Sequence, residues 1–382
     1  MLGVLIGEGA RPVNRRGMAP GLAPPAALGS RQDRAAGHNA ANRKTSRMSN
    51  TQLPTLAELQ EAAAAVHRHM PPTPQIAWPL LKRRLGVEVI VKHENHTPTG
   101  AFKVRGGFVY MEAYAKAERE RQAGANALRG VVSATRGNHG QSLALAGRIF
   151  GVPVTIVVPH GNSREKNAAM QAFGAELIEA GTDFEEARAF AMKAAQERGL
   201  SMVPSFHPAL VKGVASYGLE LFGAYPDLDA VYVPIGLGSG VCGLIAAKEA
   251  LGLKTEIVAV VSEIADATAL SIEAGRVVEG ASTRTFADGM ATRSPSQEAF
   301  DIYGEAVARV VRLSEDEIAD AIRVYHEDTH NLAEGAGAAP LAGLIKEKDR
   351  MAGKKCGVIL CGGNIDRDWA ATILAGGTPQ PR

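Results

Sequence analysis

From residue 48 onward, short apolar runs alternate with longer Ala-rich stretches in which apolar residues recur at helical spacing. The short runs are "EVIVK" (88–92), "GVVSAT" (130–135), "PVTIVVP" (153–159), "AELIEAG" (175–181), "AVYVPIG" (230–236), "EIVAVVSE" (256–263) and "GVILCGG" (357–363). They are rich in β-branched residues and show no clean alternation, which predicts strands buried on both faces. Segments such as "GQSLALAGRIF" and "FEEARAFAMKAAQERG" separate them and predict the crossover helices of a parallel sheet. The chain is therefore expected to be α/β and doubly wound. No internal repeat or low-complexity segment interrupts the pattern after residue 47.

In sheets of this kind ligands bind beyond the carboxyl ends of strands, where loops lead into helix N-termini. Three loops meet that description: "SATRGNHGQS" (133–142), "PIGLGSGVCG" (234–243) and "CGGNID" (361–366). Each follows a β-rich run and carries glycines that let backbone approach a ligand closely. A fourth stretch, "HENHTPTGAFKVRGG" (93–107), sets Lys103 directly behind a helix-breaking run of Thr97, Pro98, Thr99 and Gly100.

Composition narrows the classes. The 382 residues include three cysteines, Cys242, Cys356 and Cys361, too few for a disulfide framework and without paired metal-ligand spacing. This usage fits a reducing, cytoplasmic setting. No apolar run approaches the ~20 residues of a membrane span. The net charge of +2 is uneven, because residues 1–47 hold eight Arg/Lys against Glu8 and Asp33. The remainder carries 34 basic and 38 acidic residues, which argues against a nucleic-acid partner. Residues 1–47 also lack apolar periodicity, and read as a disordered leader or as a mis-called start preceding Met48. Their acid-poor, Arg-rich character superficially matches a transit peptide.

The loop "GLGSG" (236–240) follows a strand and opens a helix, where backbone N–H groups and the helix dipole favour a phosphate. Its spacing is neither the dinucleotide fingerprint nor a P-loop. A bare strand-to-helix turn is the structural alternative. A lysine destined for a Schiff base must be placed on a turn and partly desolvated, so that its pKa can fall. A phosphate cradle together with a placed lysine suggests pyridoxal 5'-phosphate.

"GAFKVRGG", "RGNHGQS", "GLGSG", "TFADGMA" (285–291) and "CGGNID", in this order and spacing, resemble the fold-type II pyridoxal-phosphate enzymes. Within these, "GNHGQ" is similar to the threonine/serine dehydratase and serine racemase branch, and the likeness runs from about residue 53 to 376. The resemblance implies a tryptophan-synthase-β-like architecture of two open parallel-sheet α/β domains with the cofactor between them. Residues 48–125 plus 208–376 would form the large cofactor-binding domain and 126–207 the small one, with 377–382 a tail. It implies that Lys103 is the Schiff-base lysine, flanked by Phe102, and that Asn138 bonds the ring 3′-oxygen. Gly236, Leu237, Gly238, Ser239 and Gly240 match the phosphate loop. Gly289 and Glu334 match positions beside the ring, and Cys361 the position facing the pyridine nitrogen. Thr135, Arg136, Gly137 and His139 fall at the substrate end.

The implied activity is removal of water from a β-hydroxy amino acid of the L-threonine or L-serine type, giving a 2-oxo acid and ammonia. Lys103 would act as the base, with the cofactor phosphate as proton donor to the departing hydroxyl. A thiol at Cys361 is a weak neutral partner for the ring nitrogen, which favours elimination over amino transfer. Arg136 departs from the family pattern, which has a small residue there. A permanently charged guanidinium cannot shuttle protons, so racemisation is not expected. It could hold the α-carboxylate, or a second carboxylate as in 3-hydroxyaspartate, or point to solvent. The acid cluster that binds a divalent cation in several relatives is replaced by Val260, Val261 and Ser262, with Glu263 and Asp266 only nearby, so no metal site is expected. The chain ends soon after "CGGNID", and no isoleucine-responsive regulatory domain is expected. Alternative readings are a 3-hydroxyaspartate or phenylserine dehydratase, a serine racemase, a β-replacement enzyme and a non-catalytic binding protein. A homodimer or homotetramer is the expected assembly.

Overall fold

The computed structural model describes residues 53–121 and 128–381; the 1–47 leader lies outside them. The described residues form ten strands: β1 (Gln75–Ala77), β2 (Glu88–His93), β3 (Val131–Ala134), β4 (Val154–Val158), β5 (Glu176–Glu179), β6 (Ser201–Met202), β7 (Ala230–Pro234), β8 (Glu256–Ser262), β9 (Arg309–Leu313) and β10 (Lys355–Leu360). They make a six-stranded sheet of order β1-β2-β10-β7-β8-β9 and a four-stranded sheet of order β5-β4-β3-β6. Every pairing is parallel except that of β1 with β2.

The seven apolar runs of the sequence all become strands. The three it did not predict, β1, β6 and β9, each lie at a sheet edge. β1 and β6 are only three and two residues long, too short for a periodic signal. β9 reads "RVVRL", and its two arginines are ion-paired, as edge strands protected by charge often are. Central strands β7, β8 and β10 are buried along almost their whole length, which is why they lack alternation.

The helix Lys103–Arg121 joins the two lobes, each a sheet with its covering helices. Its Val104, Phe108, Met111 and Ala115 pack in one apolar cluster with Val131 and Ile156 of the four-stranded sheet. Its Arg105, fully buried, reaches the opposite way. The guanidinium donates to both oxygens of Glu94 at 2.6 and 2.9 Å and both oxygens of Glu220 at 2.6 and 3.0 Å. It also donates to Ser216 Oγ at 2.8 Å. Buried Lys92, on β2, pairs with Glu220 and donates to Thr73 O at 2.8 Å. Burial pushes the Glu220 carboxyl up, but Arg105 and Lys92 more than offset this and hold it at about 2. Every charge in the cluster has an opposite partner, the condition under which buried ions are tolerated.

Removing one member leaves the others unpaired in a dry interior. Glu94→Ala is expected to destabilise the fold by about 3–5 kcal/mol. A urea titration followed by circular dichroism should show a clearly lower midpoint; an unchanged midpoint would mean that the cluster relaxes without cost.

Candidate active site

All three glycine-bearing loops leave the carboxyl ends of parallel strands. β7 and β10 are neighbours in the six-stranded sheet, and β3 lies inside the four-stranded one. The fourth stretch is stitched to the end of β10: Ala101 bridges Gly362, Phe102 N donates to Cys361 O at 2.9 Å, and Gly363 N donates to Gly100 O at 2.9 Å. Gly100 has φ of +68°, and a Cβ there would meet Asn364 Oδ1 at 2.7 Å, so glycine is required. Lys103 is therefore the first residue of a helix immediately behind the turn, rather than a residue of the turn itself.

One cavity of about 290 Å³ is lined by Phe102, Lys103, Thr135, Arg136, Gly137, Asn138, His139, Gly236, Leu237, Gly238, Ser239, Gly240, Gly289, Glu334 and Cys361. Every cofactor- or substrate-site residue expected from the sequence thus lines this one cavity. Lys166, Asp288, Ser205 and Arg293 also line it, and sequence reasoning missed them. Asp288 stands inside the quoted "TFADGMA", so its neighbourhood was signalled. Lys166 sits in "SREKNAA", which reads as an ordinary polar helix start.

The electrostatics around Lys103 are nearly neutral. Nζ donates to Ser239 Oγ at 3.0 Å and has no carboxylate partner among the described residues. Burial lowers its pKa to about 8. Burial also pushes the Cys361 thiol well above its usual range, so it stays protonated. His139 is brought down to about 3 by burial and by the nearby lysine charge, and its buried Nε2 has no hydrogen-bond partner among the described residues.

Ser239 opens the helix Ser239–Ala250, whose cap Gly238 has φ of +106°. The first-turn N–H groups of a helix lack intrahelical acceptors and point at whatever lies before them. A Cβ on Gly236 would stand 2.2 Å from Gly289 O, so two backbones touch there. Asn138, first residue of the helix Asn138–Phe150, donates to Glu334 Oε1 at 2.7 Å and accepts from Asn364 Nδ2 at 2.8 Å. Burial raises Glu334 to about 7, opposed by Lys166 and by the Asn138 bond. Arg136 is half-buried; its Nε is buried with no hydrogen-bond partner, and no carboxylate pairs with it among the described residues.

An amine of lowered pKa, an anion cradle at a helix N-terminus, unsatisfied donors and a neutral thiol in one cavity fit pyridoxal phosphate. No helix of the described residues is long and apolar enough to cross a membrane.

Comparison with known proteins agrees with the geometry. A family model described as "Pyridoxal-phosphate dependent enzyme" matches residues 66–362. An L-threonine ammonia-lyase of Thermotoga maritima is 32% identical over 321 residues, covering 84% of this chain and 78% of the relative. An L-threo-3-hydroxyaspartate ammonia-lyase of Saccharomyces cerevisiae is 30% identical over 330 residues, covering 86% and 99%. The solved structure of maize serine racemase matches with a TM-score of 0.77 at 25% identity, covering 84% and 97%.

The buried amine has a measurable cost. In the cofactor-free protein the Lys103 pKa of about 8 lies below the usual 10.5, so the unfolded chain binds more protons between those values. The penalty is full below pH 8 and fades as pH rises towards 10.5. Lys103→Met should therefore stabilise the cofactor-free protein at pH 7 by roughly 3 kcal/mol. Denaturant midpoints taken across pH should show the gain vanishing above pH 10.5. A pH-independent difference would contradict the assigned environment.

Proposed function

The chain belongs to the pyridoxal-phosphate dependent enzyme family, and we propose that it is a dehydratase (ammonia-lyase) eliminating water from a β-hydroxy amino acid of the L-threonine or L-serine type. The products are a 2-oxo acid and ammonia. The carrying observation is the amine of Lys103, desolvated, hydrogen-bonded to the Ser239 hydroxyl with no carboxylate partner among the described residues, and set between the glycine loop and the end of β10. Relatives named for ammonia-lyase activity support the reaction class.

Pyridoxal phosphate would be held by Lys103, the 236–240 loop, Phe102, Asn138, Gly289, Glu334 and Cys361. When bound, it supplies an electron-accepting ring that acidifies the substrate Cα–H. Lys103 Nζ, with its lowered pKa, is suited to accept that proton as general base near neutral pH. Ser239 Oγ orients the amine. Cys361, held as a neutral thiol, places no negative charge at its end of the cavity. Thr135, Gly137 and neutral His139 wall the substrate end and offer polar contacts without fixed charge. Arg136 supplies a guanidinium in that region that pairs with no carboxylate among the described residues.

The same arginine favours a second reading, an acidic substrate such as 3-hydroxyaspartate, because a buried unpartnered donor suits a carboxylate. The two readings differ in which carboxylate it binds.

Lys103→Ala should lose both the visible absorbance of bound cofactor and turnover, with the circular dichroism of the fold retained. Full activity in that variant would remove Lys103 from the reaction.

A panel of serine, threonine, 3-hydroxyaspartate and phenylserine, scored for ammonia and oxo acid, separates the readings. Arg136→Ala should lower kcat/KM by about 2–3 kcal/mol, chiefly through KM. An equal loss on all substrates assigns the arginine to the α-carboxylate. A loss confined to 3-hydroxyaspartate assigns it to the side chain. Unchanged kinetics on every substrate would remove it from recognition.

A further inference from the structure

Lys166 lies on the helix Arg164–Ala172 of the four-stranded lobe, with its side chain nine-tenths buried. Its stem runs beneath the loop that carries Arg136 and Asn138. A Cβ on Gly137 would stand 2.8 Å from Lys166 Cδ, so the glycine makes room for the lysine. The ammonium then crosses to the other lobe and bonds Asp288 Oδ2 at 2.8 Å. Lys166, Asp288 and Glu334 line one small void of about 10 Å³ at the back of the main cavity. Burial alone would lower the Lys166 pKa, but Asp288, Glu334 and Asp366 hold it above its usual value. One cation from the small lobe therefore sits among three carboxyl groups of the large one.

We propose that Lys166 is a positioning residue, whose ammonium clasps the two lobes together at the back of the pocket and balances the charge of Asp288 and Glu334. Two consequences follow from the one contact. The loop over the lysine stem keeps its place, so Asn138 stays in register with Glu334 and Asn364. Glu334 keeps access to its ionised form in a buried setting where it would otherwise hold a proton. The groups that face Glu334 are Asn138 from the small lobe, Lys166, Asp288 and the neutral thiol of Cys361. Of these, Lys166 is the cation. The inference concerns the lobes and the charge between them, and it stands whether the substrate is neutral or acidic.

The test uses the purified protein with its cofactor and needs no turnover, so its outcome is separate from that of the proposed reaction. Glu334 is followed by the infrared band of its protonated carboxyl, identified by its loss in Glu334→Gln. Hydrogen exchange reports on residues 133–140 and 285–291. Lys166→Met should move the Glu334 midpoint upward by about 1–3 in pH, since an opposite charge has been removed. Asp288→Asn should move it downward, because a like charge has gone and Lys166 remains. Exchange in both segments should quicken about tenfold or more in either variant, the loss of roughly 1.4 kcal/mol of local closure. Lys166→Arg should keep the midpoint near that of the parent protein. Midpoints that move in the same direction in Lys166→Met and Asp288→Asn, or exchange unchanged in both, would overturn the proposal. Should Lys166→Met fail to fold, Asp288→Asn decides alone: a downward midpoint with faster exchange supports the clasp, and any other result overturns it.

Discussion

The placement of Lys103 depends on the buried charge cluster two residues further along its helix. Arg105 has six polar bonds to groups from β2's end, the segment before β1 and the helix Pro208–Ala224. A fully buried guanidinium has a fixed fork of donors and cannot lose its proton to escape desolvation. Its carboxylate partners must therefore stay where they are, and the helix must start where the arginine lets it start. The apolar face of the same helix is committed to the four-stranded sheet. One element is thus held to one lobe by ion pairs and to the other by packing, with the amine at its first residue.

This arrangement separates two electrostatic zones. Immediately around the amine the neighbours include a hydroxyl, a thiol, an imidazole and the Phe102 ring, all neutral near pH 7. A lysine in such company has no counter-ion to keep it charged, so burial lowers its pKa instead of being offset. Formal charges are kept one shell away, in the Arg105 cluster below and the Lys166–Asp288 pair behind. Glu334 stands between the zones, with burial and Lys166 pulling its ionisation in opposite directions. A cavity that must hold both a dianionic phosphate and a carboxylate gains from having few fixed negative charges facing it.

Glycine distribution follows the same logic of close approach. Gly236 meets the backbone of Gly289, Gly137 makes room for Lys166, and a Cβ on Gly362 would stand 2.5 Å from Glu334 Oε1. Each loop is thin at the point where another loop, a lysine stem or a carboxyl passes. Bulk at any of these would be paid in displaced cavity wall rather than in local strain.

Much of this protein was legible in its sequence. Buried central strands advertise themselves as unbroken β-branched runs, because both faces must be apolar. The rule that ligands lie beyond the carboxyl ends of parallel strands then selected the loops carrying Asn138, Ser239 and Cys361. The resemblance added roles to those positions. Edge strands β1, β6 and β9 were not legible, since short or charge-flanked segments lack the signal that burial imposes. Nor was the partnership of Lys166 with Asp288, 122 residues apart in the chain, because a lysine in a polar helix start is usually solvated. The sequence by itself determined which backbone segments could form the two sheets and which loops could approach a ligand, since local pattern and glycine chemistry encode both. Only the tertiary structure decided which charges became buried and paired, and that Arg136 has no carboxylate partner among the described residues, because desolvation depends on neighbours distant in sequence.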